Sequence, residues 1–290
     1  MFRILSNEQV APDVHRLWIE APHVIRRRQP GQFVIIRVDD EGERIPLTIA
    51  DVDPARQAIA LVVQGVGKST KQLNALPHGA AVADVAGPLG RPTHIEPGSH
   101  VCAIGGGIGT AVVYPIAAGV KRAGGHVTAI LGGRSRSLVL LEPEMRAVSD
   151  RVVITTDDGS YGRAGLVTDA LRDLLAEGVR IDEVVAVGPL PMMRAVCDVT
   201  RDTGLKTTVS LNPIMVDGTG MCGGCRVVVG GAPKFVCVDG PEFDGHQVDF
   251  ADLAARMRAY RTEEQVATVR WDEQCASQEQ RRREDSFWAV

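Results

Sequence analysis

From His100 onward the chain alternates short apolar, β-branched runs with helix-like stretches, and few architectures accept that alternation. Val101-Cys102-Ala103-Ile104, Val127-Thr128-Ala129-Ile130-Leu131, Val152-Val153-Ile154-Thr155 and Glu183-Val184-Val185-Ala186-Val187 have strand length and strand composition. Helical stretches follow the first, to about Ala123, and run from Val167 to Glu177. Strands separated by helices at this spacing predict a parallel, doubly wound α/β sheet. The first strand enters Gly105-Gly106-Gly107-Ile108-Gly109-Thr110 and then a helix. Free backbone N–H groups at a positive helix end suit a pyrophosphate; a tight turn without a ligand is the competing reading. The run is not G-x-G-x-x-G, and Gly132-Gly133-Arg134-Ser135-Arg136 stands where a Rossmann dehydrogenase carries an acid. Pro115, on the following helix, fits another nucleotide-binding pattern better.

The residues before His100 have a different texture. Val34-Ile35-Ile36-Arg37-Val38 and Ile59-Ala60-Leu61-Val62-Val63 are strand-like, and Pro30-Gly31, Asp39-Asp40-Glu41-Gly42 and Leu76-Pro77-His78-Gly79 are turn signals. That spacing predicts a small antiparallel β-barrel. Gly87-Pro88-Leu89-Gly90-Arg91-Pro92 is the candidate linker. After Leu211 the chain becomes rich in Gly and Cys until about Gly245. Phe250, Leu253, Met257 and Tyr260 then recur at helical spacing, as expected of a helix packed on its own protein. Trp271 and Trp288, in polar surroundings, mark a tail suited to docking on a partner.

Of 290 residues, 44% are apolar and 23% charged, which excludes a disordered or fibrous chain. The net charge of −4 supplies no field for nucleic acid or anionic lipid. Arg26-Arg27-Arg28 and Arg281-Arg282-Arg283 read as solvated surface. No run reaches the roughly 18 apolar residues needed for a membrane span, so no membrane insertion is expected. Met1–Glu8 lacks the order of a signal peptide, so a cytoplasmic location is expected. Reduced thiols there point to metal or redox chemistry. Cys222, Cys225 and Cys237 lie within sixteen residues, and with Asp217 they read D-x4-C-x2-C-x11-C. This is a ferredoxin-type spacing with its first Cys replaced. A Cys3Asp zinc site and a thiol-redox pair are the alternatives. The seven His are scattered, and no general acid–base pair or nucleophile stands out.

Pro30-Gly31-Gln32-Phe33-Val34, Arg44-Ile45-Pro46-Leu47-Thr48-Ile49-Ala50, Gly65-Val66-Gly67-Lys68-Ser69-Thr70, the glycine loop and Asp217 to Cys225 with Cys237 occur in one order. In this order the chain resembles the ferredoxin reductase superfamily and, within it, the electron-transfer subunit of dihydroorotate dehydrogenase. Asp217 in place of the first cluster Cys makes it most similar to the small subunit of NADH-dependent reduced ferredoxin:NADP oxidoreductase, also called sulfide dehydrogenase. The resemblance covers roughly residues 1–250. It implies an FAD-binding β-barrel (1–97), an NAD(P)-binding α/β domain (98–212), a [2Fe–2S] domain (213–249) and a C-terminal helix and tail (250–290).

By position, the resemblance implies that Pro46, Leu47 and Thr48 line the flavin, with the Thr48 hydroxyl near N5 as the one catalytic contact. Val62, Val63 and Gln64 would run beside the ring, and Gly67, Ser69 and Thr70 would hold the pyrophosphate. Ile45 stands at the superfamily's usual Arg position, with Arg44 one residue earlier as the remaining phosphate contact. Gly105 to Thr110, including Gly106, Gly107, Ile108 and Gly109, would flank NAD(P)H together with Gly188 and Pro189. Arg134, with Ser135 and Arg136, marks where a 2′-phosphate would sit, although the resemblance favours NADH. Asp217, Cys222, Cys225 and Cys237 would bind the [2Fe–2S] cluster. The implied activity is hydride transfer between NAD(P)H and FAD, then single-electron transfer to or from a larger partner subunit. That partner would be an iron–sulfur flavoprotein resembling the glutamate synthase small subunit, in a complex able to bifurcate electrons. The alternatives are a dihydroorotate dehydrogenase electron-transfer subunit paired with a barrel, and a non-catalytic nucleotide- or zinc-binding module.

Overall fold

The structure is a computed structural model that describes residues 1–287, with side chains to residue 277. Its N-terminal unit contains β1 (Phe2–Ala11), β2 (Val14–Glu20), α1 (Pro22–Ile25), β3 (Phe33–Arg37), β4 (Arg44–Thr48), β5 (Asp51–Asp53), β6 (Ala58–Gln64), α2 (Lys68–Asn74), β7 (Ala81–Val82) and β8 (Asp84–Leu89). They form an antiparallel five-stranded sheet, β5-β6-β2-β1-β7, and a three-stranded one, β4-β3-β8. Alternate side chains of both sheets close a core that includes Ile4, Leu17, Val34, Ile36, Ile59, Leu61 and Val63. The supposed linker is partly strand: Gly87, Pro88 and Leu89 complete β8 beside β3. At Gly87 a side chain would meet Val34 at 2.8 Å, so a turn-forming residue is kept inside a strand by close packing.

The second unit contains β9 (His100–Gly106), α3 (Gly109–Arg122), β10 (His126–Gly133), α4 (Glu142–Ala147), β11 (Arg151–Thr156), β12 (Arg163–Ala164), α5 (Val167–Ala176), β13 (Glu183–Val187), α6 (Leu190–Arg201) and β14 (Lys206–Ser210). Then follow the hairpin β15 (Arg226–Val229) and β16 (Ala232–Phe235), α7 (Val236–Asp239) and β17 (Glu242–Asp244). The expected parallel sheet is present in the order β12-β11-β10-β9-β13-β14-β17. Its last strand comes from beyond the Cys-rich segment and pairs antiparallel with β14. One core joins Phe33 and Ile35 of the barrel, Ile104 and Ile130 of the sheet, and Cys225, Val227 and Cys237 of the Cys-rich segment.

The expected C-terminal stripe is only half helical. In α8 (Phe250–Arg256) Leu253 is buried and Phe250 packs on the core, whereas Met257 and Tyr260 are exposed at the break before α9 (Arg261–Phe287). The Lys71 ammonium on α2 meets both Asp272 carboxylate oxygens at 2.8 Å, placing α9 against α2. Trp271 is half-buried on α9; Trp288 lies outside the described residues, as do the side chains of Arg281, Arg282 and Arg283. Among the described residues no helix is long and apolar enough to cross a membrane. Of the first arginine run, Arg26 and Arg27 are exposed as expected, but Arg28 is half-buried and donates to the Ile49 carbonyl at 3.0 Å.

A half-buried carboxyl sits where the units meet. Thr93, between barrel and sheet, donates its hydroxyl to Glu242 at 2.6 Å, while its N–H donates to the Pro30 carbonyl at 2.9 Å. Burial, reinforced by the nearby Glu183 and opposed by the Thr93 bond and Lys206, raises the Glu242 carboxyl to about 7. An acid raised from its ordinary 4.5 weakens the fold increasingly from about pH 5, and the loss is complete above pH 7. Glu242→Gln is therefore expected to gain about 3 kcal/mol of stability over wild type at pH 8 and under about 1 kcal/mol at pH 5. Denaturant unfolding at the two pH values checks this.

Candidate functional site

The glycine loop turns sharply because three of its glycines touch backbone or a fixed side chain. A Cβ at Gly105 would lie 2.7 Å from the Thr110 Cα, one at Gly106 2.3 Å from the Met192 sulfur, and one at Gly109 2.1 Å from the Val187 carbonyl oxygen. Gly107 has φ +54° and open space above it. Its N–H donates to the Gly132 carbonyl at 2.8 Å, tying the loop to the end of β10. Gly188 packs on Gly106, with a Cβ there 3.2 Å from the Gly106 Cα, and Pro189 leads into α6. The Gly105 to Thr110 and Gly188-Pro189 segments thus meet at the carboxyl edge of the sheet, where open α/β sheets bind nucleotides. Thr110 is 1% exposed, and its hydroxyl has no hydrogen-bond partner among the described residues. Buried hydroxyls are normally bonded, so this orphan fits a site completed by a ligand. Ile108 is half-buried and packs with Val62, Ala50 and Ala111, where α3 meets the barrel.

On the barrel side, Pro46, Leu47 and Thr48 are half-buried at the rim on β4, and Gln64 is half-buried at the end of β6. Val62 faces α3, but Val63 does not join it. Period-2 alternation turns the Val63 side chain into the barrel core at 1% exposure, and its carbonyl accepts the Asn74 amide. Arg44 is also engaged, bonded to Asp84 at 3.1 Å across β3. Gly67 begins α2. The Thr70 hydroxyl accepts the Val66 and Gly67 N–H groups, each at 3.1 Å, and so shapes that loop. Ser69 is buried, and its hydroxyl donates to the Glu43 carboxylate at 2.5 Å. Its donor is thus already directed at an anion, the chemistry a phosphate oxygen would require, which fits an FAD pyrophosphate.

The Cys-rich loop folds on glycines. Gly218, Gly220 and Gly223 have φ of +75°, +84° and +68°, conformations that favour glycine. Gly218 approaches the barrel so closely that a Cβ would meet Leu89 at 2.6 Å and Ile35 at 3.1 Å. Cys225 and Cys237 are buried with sulfurs 3.2 Å apart, and Cys222 is exposed. Backbone N–H groups of Gly224 and Cys237 point at the Cys222 and Cys225 sulfurs, at 3.5 and 3.4 Å. The Asp217 carboxylate instead accepts the Thr219 and Cys222 N–H groups, both at 2.8 Å, which holds it below the usual carboxylate range. The structure thus brings the Cys225–Cys237 pair together and ties Asp217 to Cys222. Among the described residues no three such donors stand close enough to hold a metal ion. Burial, with the Cys225 contact, pushes the Cys237 thiol up to about 12. Only a bound cation would ionise the Cys237 thiol at neutral pH. Two thiols and a carboxylate on one loop with a third thiol on α7, and N–H groups aimed at sulfur, fit an iron–sulfur cluster in their chemistry.

Arg134 is exposed on the loop after β10, and among the described residues its guanidinium has no bond. Arg136 is occupied, lying 5.0 Å over the Tyr161 ring. Sequence reasoning missed the turn beside them. Asp157 donates its N–H to the Gly133 carbonyl at 3.1 Å and Asp158 to the Arg134 carbonyl at 3.2 Å. The available signal was Asp-Asp-Gly-Ser directly after a parallel-strand run, at the ligand-binding end of that strand.

Residues 212–249 match the family described as the iron–sulfur cluster binding domain of dihydroorotate dehydrogenase B. A Thermotoga maritima protein, dihydroorotate dehydrogenase B (NAD(+)), electron transfer subunit homolog, is 46% identical over 92% of this chain and 94% of its own length. The Shouchella clausii dihydroorotate dehydrogenase B (NAD(+)), electron transfer subunit, is 34% identical over 83% of this chain and 94% of its own. A solved structure of NADH-dependent reduced ferredoxin-NADP oxidoreductase, described for flavin-based electron bifurcation, superimposes with a TM-score of 0.88 at 45% identity. It covers 93% of this chain and 98% of its own.

Proposed function

Because the chain belongs to the family of dihydroorotate dehydrogenase B electron transfer subunits and their homologues, we propose that it works as the NADH-side subunit of a ferredoxin:NADP oxidoreductase-type complex. It is a flavin and iron–sulfur electron-transfer subunit, part of an NAD(P)H-dependent oxidoreductase with FAD and a [2Fe–2S] cluster. It acts with a larger partner subunit. For that partner we favour an iron–sulfur flavoprotein resembling the glutamate synthase small subunit. Bound FAD supplies hydride acceptance, and the cluster restricts onward transfer to single electrons. The observation that carries this reading is the cluster loop. Its Asp217, Cys222, Cys225 and Cys237 fall within the matched segment, and Gly218 rests against the barrel strands.

The chain's own residues have separable tasks. Thr48 would offer its hydroxyl at the flavin edge, with Pro46 and Leu47 beside it and the backbone of Val62 to Gln64 along the ring. Ser69 would donate to the pyrophosphate once Glu43 swings aside, and Gly67 and Thr70 shape the loop. The first turn of α3 would hold the nucleotide pyrophosphate, and Gly188-Pro189 would border the nicotinamide. Thr48→Val is expected to slow NADH-dependent flavin reduction roughly tenfold to a hundredfold with FAD content unchanged, as stopped-flow absorbance would read.

The family match named for dihydroorotate dehydrogenase B supports a second reading, with a dihydroorotate-oxidising barrel as partner. Anaerobic purification of the tagged full chain from its own host decides between them. A stoichiometric larger subunit with flavin and additional iron–sulfur clusters is expected. A barrel subunit that reduces this chain with dihydroorotate would replace the first reading with the second.

A further inference from the structure

One arginine of the surface run does not belong to the surface. Arg28 is half-buried, and its terminal nitrogen donates to the Ile49 carbonyl at 3.0 Å. Its Nε is buried and has no hydrogen-bond partner among the described residues. Burial lowers the pKa of this guanidinium; Asp51 and Tyr114 oppose the shift and Arg122 adds to it. An arginine keeps its charge at any working pH, so the fold carries a desolvated cation with an incomplete set of bonds, which costs stability.

Arg28 stands where the barrel meets α3. On the barrel side it holds Ile49, the residue after Thr48, whose N–H is held in turn by the Gln32 carbonyl at 3.2 Å. On the other side are Tyr114 and Arg122 of α3. Contacts along the same helix complete a seam. Ala50 and Ala111 share one buried cluster, and at Gly119 a Cβ would lie 2.5 Å from Ile95 and 3.1 Å from Pro30. Ala111, Tyr114, Gly119 and Arg122 fall on one face of α3, so a single helix face is laid along the barrel. Thr48 is one residue from the Ile49 end of this seam, and Thr110, in the first turn of α3, is one residue from Ala111. Resting on the flavin and NADH reading above, we propose that Arg28 is a positioning residue for hydride transfer, holding the Thr48 segment in register with the helix that carries the nucleotide. It acts through Ile49 and α3. Hydride transfer is steeply sensitive to a small displacement of the reacting groups, whereas the nucleotide's own contacts on α3 and Gly188-Pro189 are untouched. The signature of Arg28 is therefore a change of rate without a change of affinity.

Arg28→Met keeps the stem and removes the charge and its donors, and Arg28→Lys keeps a charge and a donor. Both are tested in the full chain with FAD and cluster bound. In stopped-flow reduction by NADH, the limiting rate of Arg28→Met is expected to fall about tenfold, with the NADH dissociation constant and FAD content within about twofold of wild type. Arg28→Lys is expected to recover most of the rate. A residue that only stabilised the fold would lower FAD content and the thermal midpoint and leave the limiting rate of the loaded protein unchanged. A second readout needs no flavin. In the FAD-free chain, amide exchange of residues 46–51 is expected to quicken about tenfold in Arg28→Met, while β9 and β10 keep their protection. An unchanged limiting rate, a Lys variant as slow as the Met variant, a loss of affinity in place of rate, or unaltered exchange would overturn the assignment. If the wild-type chain takes up no FAD, or NADH leaves its FAD oxidised, the flavin and NADH reading itself falls and the assignment with it, whatever the exchange shows.

Discussion

Cys237→Ala is expected to strip the protein of iron, from about two atoms per chain to almost none, while the flavin bands remain. Cys237 is 2% exposed and its sulfur lies 3.2 Å from that of Cys225 in the core shared with the barrel. A cluster held by four donors does not survive the loss of a buried thiolate. FAD should be retained, since no element of the barrel's own core depends on Cys237. Iron and acid-labile sulfide assays with the absorbance spectrum read both halves of the result. Loss of flavin together with iron would mean that the loop also supports the flavin site.

Gly109→Ala is expected to have the largest effect on nucleotide binding of any single methyl group. The new Cβ would stand 2.1 Å from the Val187 oxygen and 2.5 Å from its carbonyl carbon, both backbone atoms of β13. The start of α3 must then separate from the sheet, which costs about 3 kcal/mol of stability. Displacing the helix end by even about 1 Å is expected to weaken nucleotide binding around a hundredfold. Gly107→Ala is the matched control. Its φ of +54° strains an alanine by about 1 kcal/mol, but no atom lies within 4 Å of the new Cβ. Thermal unfolding and titration with NADH separate the two variants, and equal losses from both would show that the close approach at Gly109 has no consequence.

The parallel unit could be read from the chain because its buried strands are continuous Val, Ile and Ala runs, and the cluster loop because its four donors lie within about twenty residues. What escaped was set by contacts between distant segments. β17 has only three residues, Glu242-Phe243-Asp244, too few for a local pattern, and it is a strand because β14 offers it an edge. α9 carries no apolar periodicity, so a 27-residue helix read as tail. In the arginine run, Arg28 turned inward because the Ile49 carbonyl awaited it. At the site, Val62 and Val63 are alike in sequence and are separated only by strand phase, which the β2–β6 register decides. Likewise Ser69 was legible as a donor, whereas Glu43 as its present partner, 26 residues away, was not. Asp157 needed the fold as well, since only the pairing of β10 with β11 brings it beside Arg134.

The most direct measurement is the visible absorbance spectrum of the anaerobically purified chain before and after NADH, with iron and acid-labile sulfide determined on the same sample. Flavin bands over a broad [2Fe–2S] absorption, both bleached by NADH, are the expected result. A colourless protein that takes up neither FAD nor iron on reconstitution would contradict it, and the three cysteines with Asp217 would then have to be explained by a zinc site without turnover.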